Sequence, residues 1–176
     1  MGRRQRRTTA LIAQPEGPGT PFAIVRDDAI GAEMAALIEL HLADVGADTA
    51  AEYRFALDLE ALRAPDISLW GLWQGPTLIG CAALKDLGNG EGEVKSMRTH
   101  PDHLRKGTAA RLLSHLIGDA TARGWSRLNL ETGTSALFVP AHALYHRFGF
   151  VDCGPYADYT ESPHNRFMTL ALPRKA

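Results

Sequence analysis

Arg105 and Lys106 stand directly before Gly107, and Thr108, Ala109 and Ala110 then open a long amphipathic run. In that run Ala109, Leu112, Leu113, Leu116, Ile117 and Ala120 recur at helical spacing, with Arg111, Ser114, His115 and Asp119 on the other side. A helix start carries unpaired backbone N–H groups and the positive end of the helix dipole. Two cations and a glycine without Cβ at that point make a device for holding a phosphate. The loop is not a P-loop, because no G-x-x-x-x-G-K-[ST] occurs in the chain. The cluster Gly88-Asn89-Gly90-Glu91-Gly92 lacks the dinucleotide spacing and carries a carboxylate, which suits a hairpin turn instead.

The elements that must position this loop follow from periodicity and breakers. Phe22–Val25 reads as a first strand, and Asp27 or Asp28 can cap a helix bearing Ile30, Met34, Leu37, Ile38 and Leu42 on one face. Thr49-Ala50-Ala51-Glu52 has the spacing of a capping box and opens a second helix, expected to stop near Pro65. Ser68–Trp73 and Thr77–Leu84 form a hairpin around Gly75-Pro76, and Gly92–Thr99 is the next strand. After the loop and its helix, Gly124 offers a stop. A strand Arg127–Glu131, a helix Ala136–Phe148 and strands Phe150–Cys153 and Arg166–Leu172 complete the chain. The order β-αα-βββ-α-β-α-ββ predicts an α/β (α+β) domain, a mixed sheet with helices on both faces.

Composition narrows the function classes. The length of 176 residues suits one domain, expected over residues 21–176 behind a flexible tail at 1–20 that holds Arg3, Arg4, Arg6 and Arg7. A net charge of −1 gives no general argument for nucleic acid, and four tail arginines are better read as a solvated tail than as a nucleic-acid arm. No apolar run reaches membrane-helix length and Leu11-Ile12-Ala13 is too short for a signal core, so a cytoplasmic location is expected. Cys81 and Cys153 are far apart and imply neither a disulfide framework nor zinc. His142 and His146 lie one helical turn apart, but the intervening residues lack the glutamate of H-E-x-x-H, and no metal is expected.

The Glu93–Arg123 segment resembles the acetyl-CoA motif of the GNAT superfamily of N-acetyltransferases, a fourth strand followed by a Q/R-x-x-G-x-G/A loop and a helix. Here the loop reads Leu104-Arg105-Lys106-Gly107-Thr108-Ala109; Leu104 stands where the family has Gln or Arg, and Arg105 and Lys106 keep the charge. Ala143–Phe150, ALYHRFGF, is similar to the LY-x-x-x-GF signature late in the same family. GEVKSMRT, LETG, F-x-PA-x-x-LY-x-x-x-GF, C-x-PY-x-x-Y and a late FM extend the likeness, over roughly residues 22–172, to a small bacterial subgroup grouped as indole-3-acetate acetyltransferases. Indole-3-acetate offers no amine, so the resemblance carries the superfamily's chemistry and not that substrate.

The resemblance implies a mostly antiparallel sheet whose fourth and fifth strands splay apart to admit CoA, with acetyl-CoA as co-substrate. It would meet Met97, Arg98 and Thr99 at the strand end and the loop residues Arg105, Lys106, Gly107, Thr108, Ala109 and Ala110. The backbone N–H of Met97 or a neighbour is implied for the oxyanion and Tyr145 for proton donation to the thiolate. Near neutral pH an amine must lose a proton before attack; Glu93 is the first base candidate and Glu131 the second. Because Glu93 alternates with Lys95 on one strand face, an ion pair is the plainer role for it. Tyr156, Tyr159 and His164 are candidates to line the acceptor pocket. The expected acceptor is a small-molecule amine; a peptide amine or a non-catalytic acetyl-CoA sensor are the alternatives, and a homodimer stays open.

Overall fold

Alternation along the strands decides which side chains meet which helix. The computed structural model describes residues 20–29, 31–48 and 57–173. Among these residues seven strands form one sheet in the order β1-β2-β3-β4-β5-β7-β6, with β1 Phe22–Asp27, β2 Ile67–Gln74, β3 Thr77–Gly88, β4 Glu91–Thr99, β5 Arg127–Gly133, β6 Val151–Cys153 and β7 Asn165–Ala171. Every pairing is antiparallel except β4 with β5. Helix α1 (Ala32–Asp48) covers one face, and α2 (Thr108–Ala122) and α3 (Val139–Arg147) cover the other.

The core is accordingly two clusters separated by the sheet. Met34, Leu37 and Ile38 of α1 pack with Leu69, Leu78, Cys81 and Ala83. Leu112, Leu113, Leu116 and Ala120 of α2 pack with Trp70, Leu72, Ile79, Leu84 and Val94 on the opposite side. Neighbouring strand residues such as Leu69 and Trp70 thus belong to different clusters, as period-two burial requires. Cys81 is fully buried among them, and burial pushes its thiol up to about 12.

Turn chemistry sets the registers. Asn89 and Gly90, both at positive φ, close the β3–β4 hairpin as a two-residue turn. Gly124 at positive φ ends α2, and the Trp125 N–H returns to the carbonyl of Ala120. The helix expected from residue 136 begins as one 3₁₀ turn, Ala136–Phe138, and becomes α-helical at Val139, with Pro140 in the first turn where its missing N–H costs nothing.

The reach of the second helix toward Pro65 is the expectation the structure corrects. Its capping box and Ile30 of the first helix lie outside the described residues, as does the 1–19 stretch of the tail. Between Leu57 and Pro65 the described chain holds only one 3₁₀ turn, Ala61–Arg63. The Asp58 carboxylate accepts the Ala61 N–H at 2.9 Å, and Ala64 is extended ahead of Pro65. Asp27 likewise caps a local turn, accepting the Ala29 N–H at 2.8 Å.

Gly92 marks where the β4–β5 pair begins beside Trp125. A Cβ on Gly92 would fall inside the Trp125 ring. Gly92→Val is expected to lower stability by about 1–3 kcal/mol through overpacking. A urea midpoint that falls without a change in m would show it; an unchanged midpoint would contradict this packing.

Candidate active site

Parallel pairing of β4 with β5 runs from Glu91↔Arg127 to Val94↔Leu130 and stops there. β5 continues, but against β7, as far as Gly133↔Asn165. Past Val94 the two central strands therefore diverge. On its other edge β4 is bulged: the register passes from Ala83↔Lys95 to Cys81↔Arg98, so Ser96 and Met97 together oppose Ala82. Ser96 takes a φ of 48° at this bulge. The bulge re-aims Met97 at the opening.

One side of the opening is a cavity of about 840 Å³. Its walls are Met97, Arg98 and Thr99 from β4, the loop and first turn of α2 (Arg105, Gly107, Thr108, Ala109, Ala110), and Leu137, Phe138, Leu144 and Tyr145 from the far side. Arg105 and Gly107 adopt positive φ, 59° and 79°, and Gly107 caps α2 with open space where a Cβ would be. That cradle, at a helix start, suits a phosphate chain. Leu104 and Leu137 are exposed apolar side chains on the same wall, suited to an alkyl arm.

Not every loop cation reaches the cavity. The Lys106 ammonium folds back onto the carbonyl of Asp102 at 2.9 Å and is absent from the cavity wall, leaving Arg105 as the loop's cation there. Arg98 forms an ion pair with Asp44 of α1, which with His41 enters the wall from a helix that sequence reasoning did not connect to the site. Burial, and then the Arg98 charge, press His41 down to about 4.

The opposite side of the sheet carries the carboxylates. Glu93 is 2% exposed, and its Oε1 accepts from Tyr156 Oη at 2.8 Å, Tyr159 Oη at 2.6 Å and Lys95 Nζ at 3.3 Å. Lys95 also donates to Tyr159 Oη at 2.7 Å. Tyr156, Tyr159 and Phe167 stack edge-on or tilted over this network, with ring centroids 5.2–5.8 Å apart. Burial, and then the Glu93 charge, raise both phenol pKa values, so both tyrosines stay protonated donors. Sequence reasoning named all three hydrogen-bonding partners, but not that they meet on one oxygen. His164 is exposed, its backbone N–H donating to Ser162 Oγ at 3.2 Å.

Glu131, one residue beyond the last β4–β5 pair, is in a different state. Burial, opposed by Lys95 and aided by Glu93, lifts its carboxyl from 4.5 to about 7. Tyr145 is 7% exposed on α3, and burial with the Glu131 charge keeps its phenol protonated at neutral pH. The site thus joins a carboxylate poised to exchange a proton near neutrality to a buried proton donor. Of the two cysteines, Cys153 is half-buried with its thiol raised by burial and lies away from this cavity wall.

A splayed β4–β5 pair over a phosphate-holding helix start is the fold of acyl-CoA-dependent transferases. The chain belongs to the acetyltransferase (GNAT) family, whose model matches residues 20–150, and it is an acetyltransferase. It is 48% identical over 146 residues to the uncharacterized N-acetyltransferase YsnE of Bacillus subtilis, covering 83% of this chain and 97% of that one. It is 37% identical over 123 residues to an IAA acetyltransferase of Azospirillum brasilense, covering 69% of this chain and 79% of that one. A Bacillus subtilis acetyltransferase solved in complex with CoA shares the fold at 18% identity, with a TM-score of 0.65 over 86% of this chain and 99% of that one. Among the described residues no helix is long and apolar enough to cross a membrane.

The state of Glu131 has a measurable thermodynamic sign. The folded chain holds a proton that the unfolded chain releases between pH 4.5 and about 7, so stability falls as pH rises through that window. Glu131→Gln removes this cost and is expected to be more stable than the wild type by on the order of 2–3 kcal/mol near pH 8, with the gain vanishing in acid. A gain independent of pH in denaturant titrations would contradict the raised carboxyl.

Proposed function

We propose that the protein transfers the acetyl group of acetyl-CoA to the amine of a small molecule by direct attack, with no acyl-enzyme. The observation that carries this reading is a carboxyl held at about 7, that of Glu131 on β5, close enough to Tyr145 of the phosphate-cradling cavity's wall for its charge to raise the phenol. The backbone of Arg105–Ala110 and the Arg105 guanidinium would hold the pyrophosphate, and the apolar wall of Leu104, Leu137 and Leu144 the pantetheine arm. The Bacillus subtilis relative of the same fold holds CoA, which supports this assignment.

In the reaction the amine nitrogen bonds the thioester carbonyl carbon and the carbon–sulfur bond breaks. Glu131 accepts the proton that the amine loses, and Tyr145 supplies a proton to the sulfur. The N–H of Met97, on the bulge, is assigned to the carbonyl oxygen as negative charge develops. Glu131 is favoured over Glu93 as base because Glu93 Oε1 already accepts three hydrogen bonds. Glu93 then serves to hold Tyr156, Tyr159 and Lys95 around the acceptor. The cover that the two tyrosines lay over this face supports a compact acceptor rather than an extended polypeptide.

Free-thiol release from acetyl-CoA across small amines, amino acids and short peptides tests the reading; turnover only with peptides would replace the small molecule by a polypeptide. Tyr145→Phe is expected to lower kcat by about 10–100-fold with CoA affinity unchanged, since positioning and oxyanion contacts remain. Because Glu131 acts as a carboxylate, kcat should rise with pH through about 7 and level off above it. Glu131→Gln should abolish that rise and cost about 100-fold or more. A rise that persists in Glu131→Gln and disappears in Glu93→Gln would reassign the base to Glu93.

A further inference from the structure

Helix α3 and the strands β6 and β7 share a polar cluster that acetyl transfer does not use. His142 and His146 lie one turn apart, with Tyr145 between them in sequence, and the Arg166 guanidinium from β7 reaches both. Its Nη1 is 3.2 Å from His142 Nδ1 and its Nη2 is 3.3 Å from His146 Nε2. Asp152 of β6 holds the guanidinium from the other side, Oδ1 accepting from Nε at 2.6 Å and Oδ2 from Nη2 at 2.8 Å. Each ring's second nitrogen meets a backbone carbonyl: His142 Nε2 is 2.9 Å from Gly133 O and His146 Nδ1 is 3.2 Å from Phe150 O.

Donor and acceptor roles here follow from chemistry. A carbonyl oxygen only accepts and a guanidinium only donates. Both rings are therefore neutral, and in opposite tautomers, with the hydrogen on Nε2 in His142 and on Nδ1 in His146. A proton added to either ring would set N–H against N–H of a permanently charged group. We propose that Arg166 is a positioning residue, bolting α3 and with it Tyr145 to β6 and β7, and that this bolt releases in acid. The functional consequence rests on the reading of Tyr145 as proton donor and of the α3 side as a wall of the CoA cavity.

The groups facing the two rings are Arg166 from β7, Asp152 from β6, the Gly133 carbonyl at the end of β5 and the Phe150 carbonyl after α3. Burial first, opposed by the Gly133 bond and reinforced by Arg166, lowers His142 below its ordinary 6.5. A depressed histidine favours the neutral, bolted state, so the contribution is complete above pH 6.5 and is lost as pH falls below it. The i, i+4 histidine pair, which reads in sequence as half a metal motif, thus finds its partner in a guanidinium.

The test compares the wild type with Arg166→Met. Long-range nitrogen NMR of the imidazoles is expected to show opposite tautomers for His142 and His146 in the wild type, and His142 titrating at higher pH in the variant. Amide protection along α3, taken as the ratio of intrinsic to observed exchange rate at each pH, should fall in acid in the wild type and be low at all pH in the variant. The variant's CoA Kd should be roughly threefold to tenfold weaker than the wild type's near pH 8, and the ratio should approach one near pH 5.5. Identical tautomers in the two rings, or an α3 protection factor untouched by both acid and the substitution, would overturn the proposal. Absence of CoA binding in both proteins would sink the acetyl-transfer reading alone, because tautomers and exchange decide the bolt by themselves. If Arg166→Met does not fold, Asp152→Asn, which unpins the guanidinium without emptying its place, is expected to move the same quantities in the same direction.

Discussion

The end of the parallel ladder at Val94↔Leu130 is the constraint on which the rest depends. Two parallel strands that stay paired bury their backbone groups and leave no passage. Here β5 keeps its antiparallel partner β7 while β4 is bulged against β3 at Ser96 and Met97, so the strands separate without either losing its sheet. The opening joins a cavity lined by the start of α2 and one side of α3 to a face lined by Glu93 and Lys95. Helix α2 is held in place by Leu112, Leu113 and Leu116, all fully buried, so its N-terminus is a rigid part of the passage and not a loop that must be ordered first.

Two carboxylates close to that opening, Glu93 buried and Glu131 half-buried, are driven to different roles by their partners. Glu93 has two phenols and an ammonium on one oxygen, which compensates its loss of water. Glu131 gains no comparable set of donors, and desolvation dominates, leaving its carboxyl at about 7. Desolvation of this kind is how a site obtains a proton exchangeable near neutrality from a carboxyl group. Lys95 serves both: it pairs with Glu93 and holds the Glu131 carboxyl lower than burial alone would.

What was legible in sequence is local. The Arg105–Ala110 loop, the Gly124 stop, the Asn89-Gly90 turn and the alternating burial of β2 and β3 each follow from a few consecutive residues. Contacts across the chain were not legible: Tyr156 and Tyr159 reach Glu93 over 63 and 66 residues, and Asp44 reaches Arg98 over 54. Charge ahead of a helix start marks both Arg105 and Lys106 as phosphate cations, and here the positive φ at Arg105 and Gly107 goes with a path on which Lys106 turns back to Asp102. The capping box predicts a helix running to Pro65, whereas past Leu57 Asp58 and Pro65 favour a single tight turn. The strand divergence itself came from family resemblance, since register between distant strands leaves no periodic trace.

The most direct test of the central claim is a crystal structure of the protein with CoA. The pyrophosphate is expected on the backbone N–H groups of residues 105–110, and the sulfur in the β4–β5 opening within hydrogen-bond reach of Tyr145 Oη. A CoA bound with its sulfur outside the opening, or on the Glu93 face with its phosphates away from the α2 N-terminus, would contradict the account.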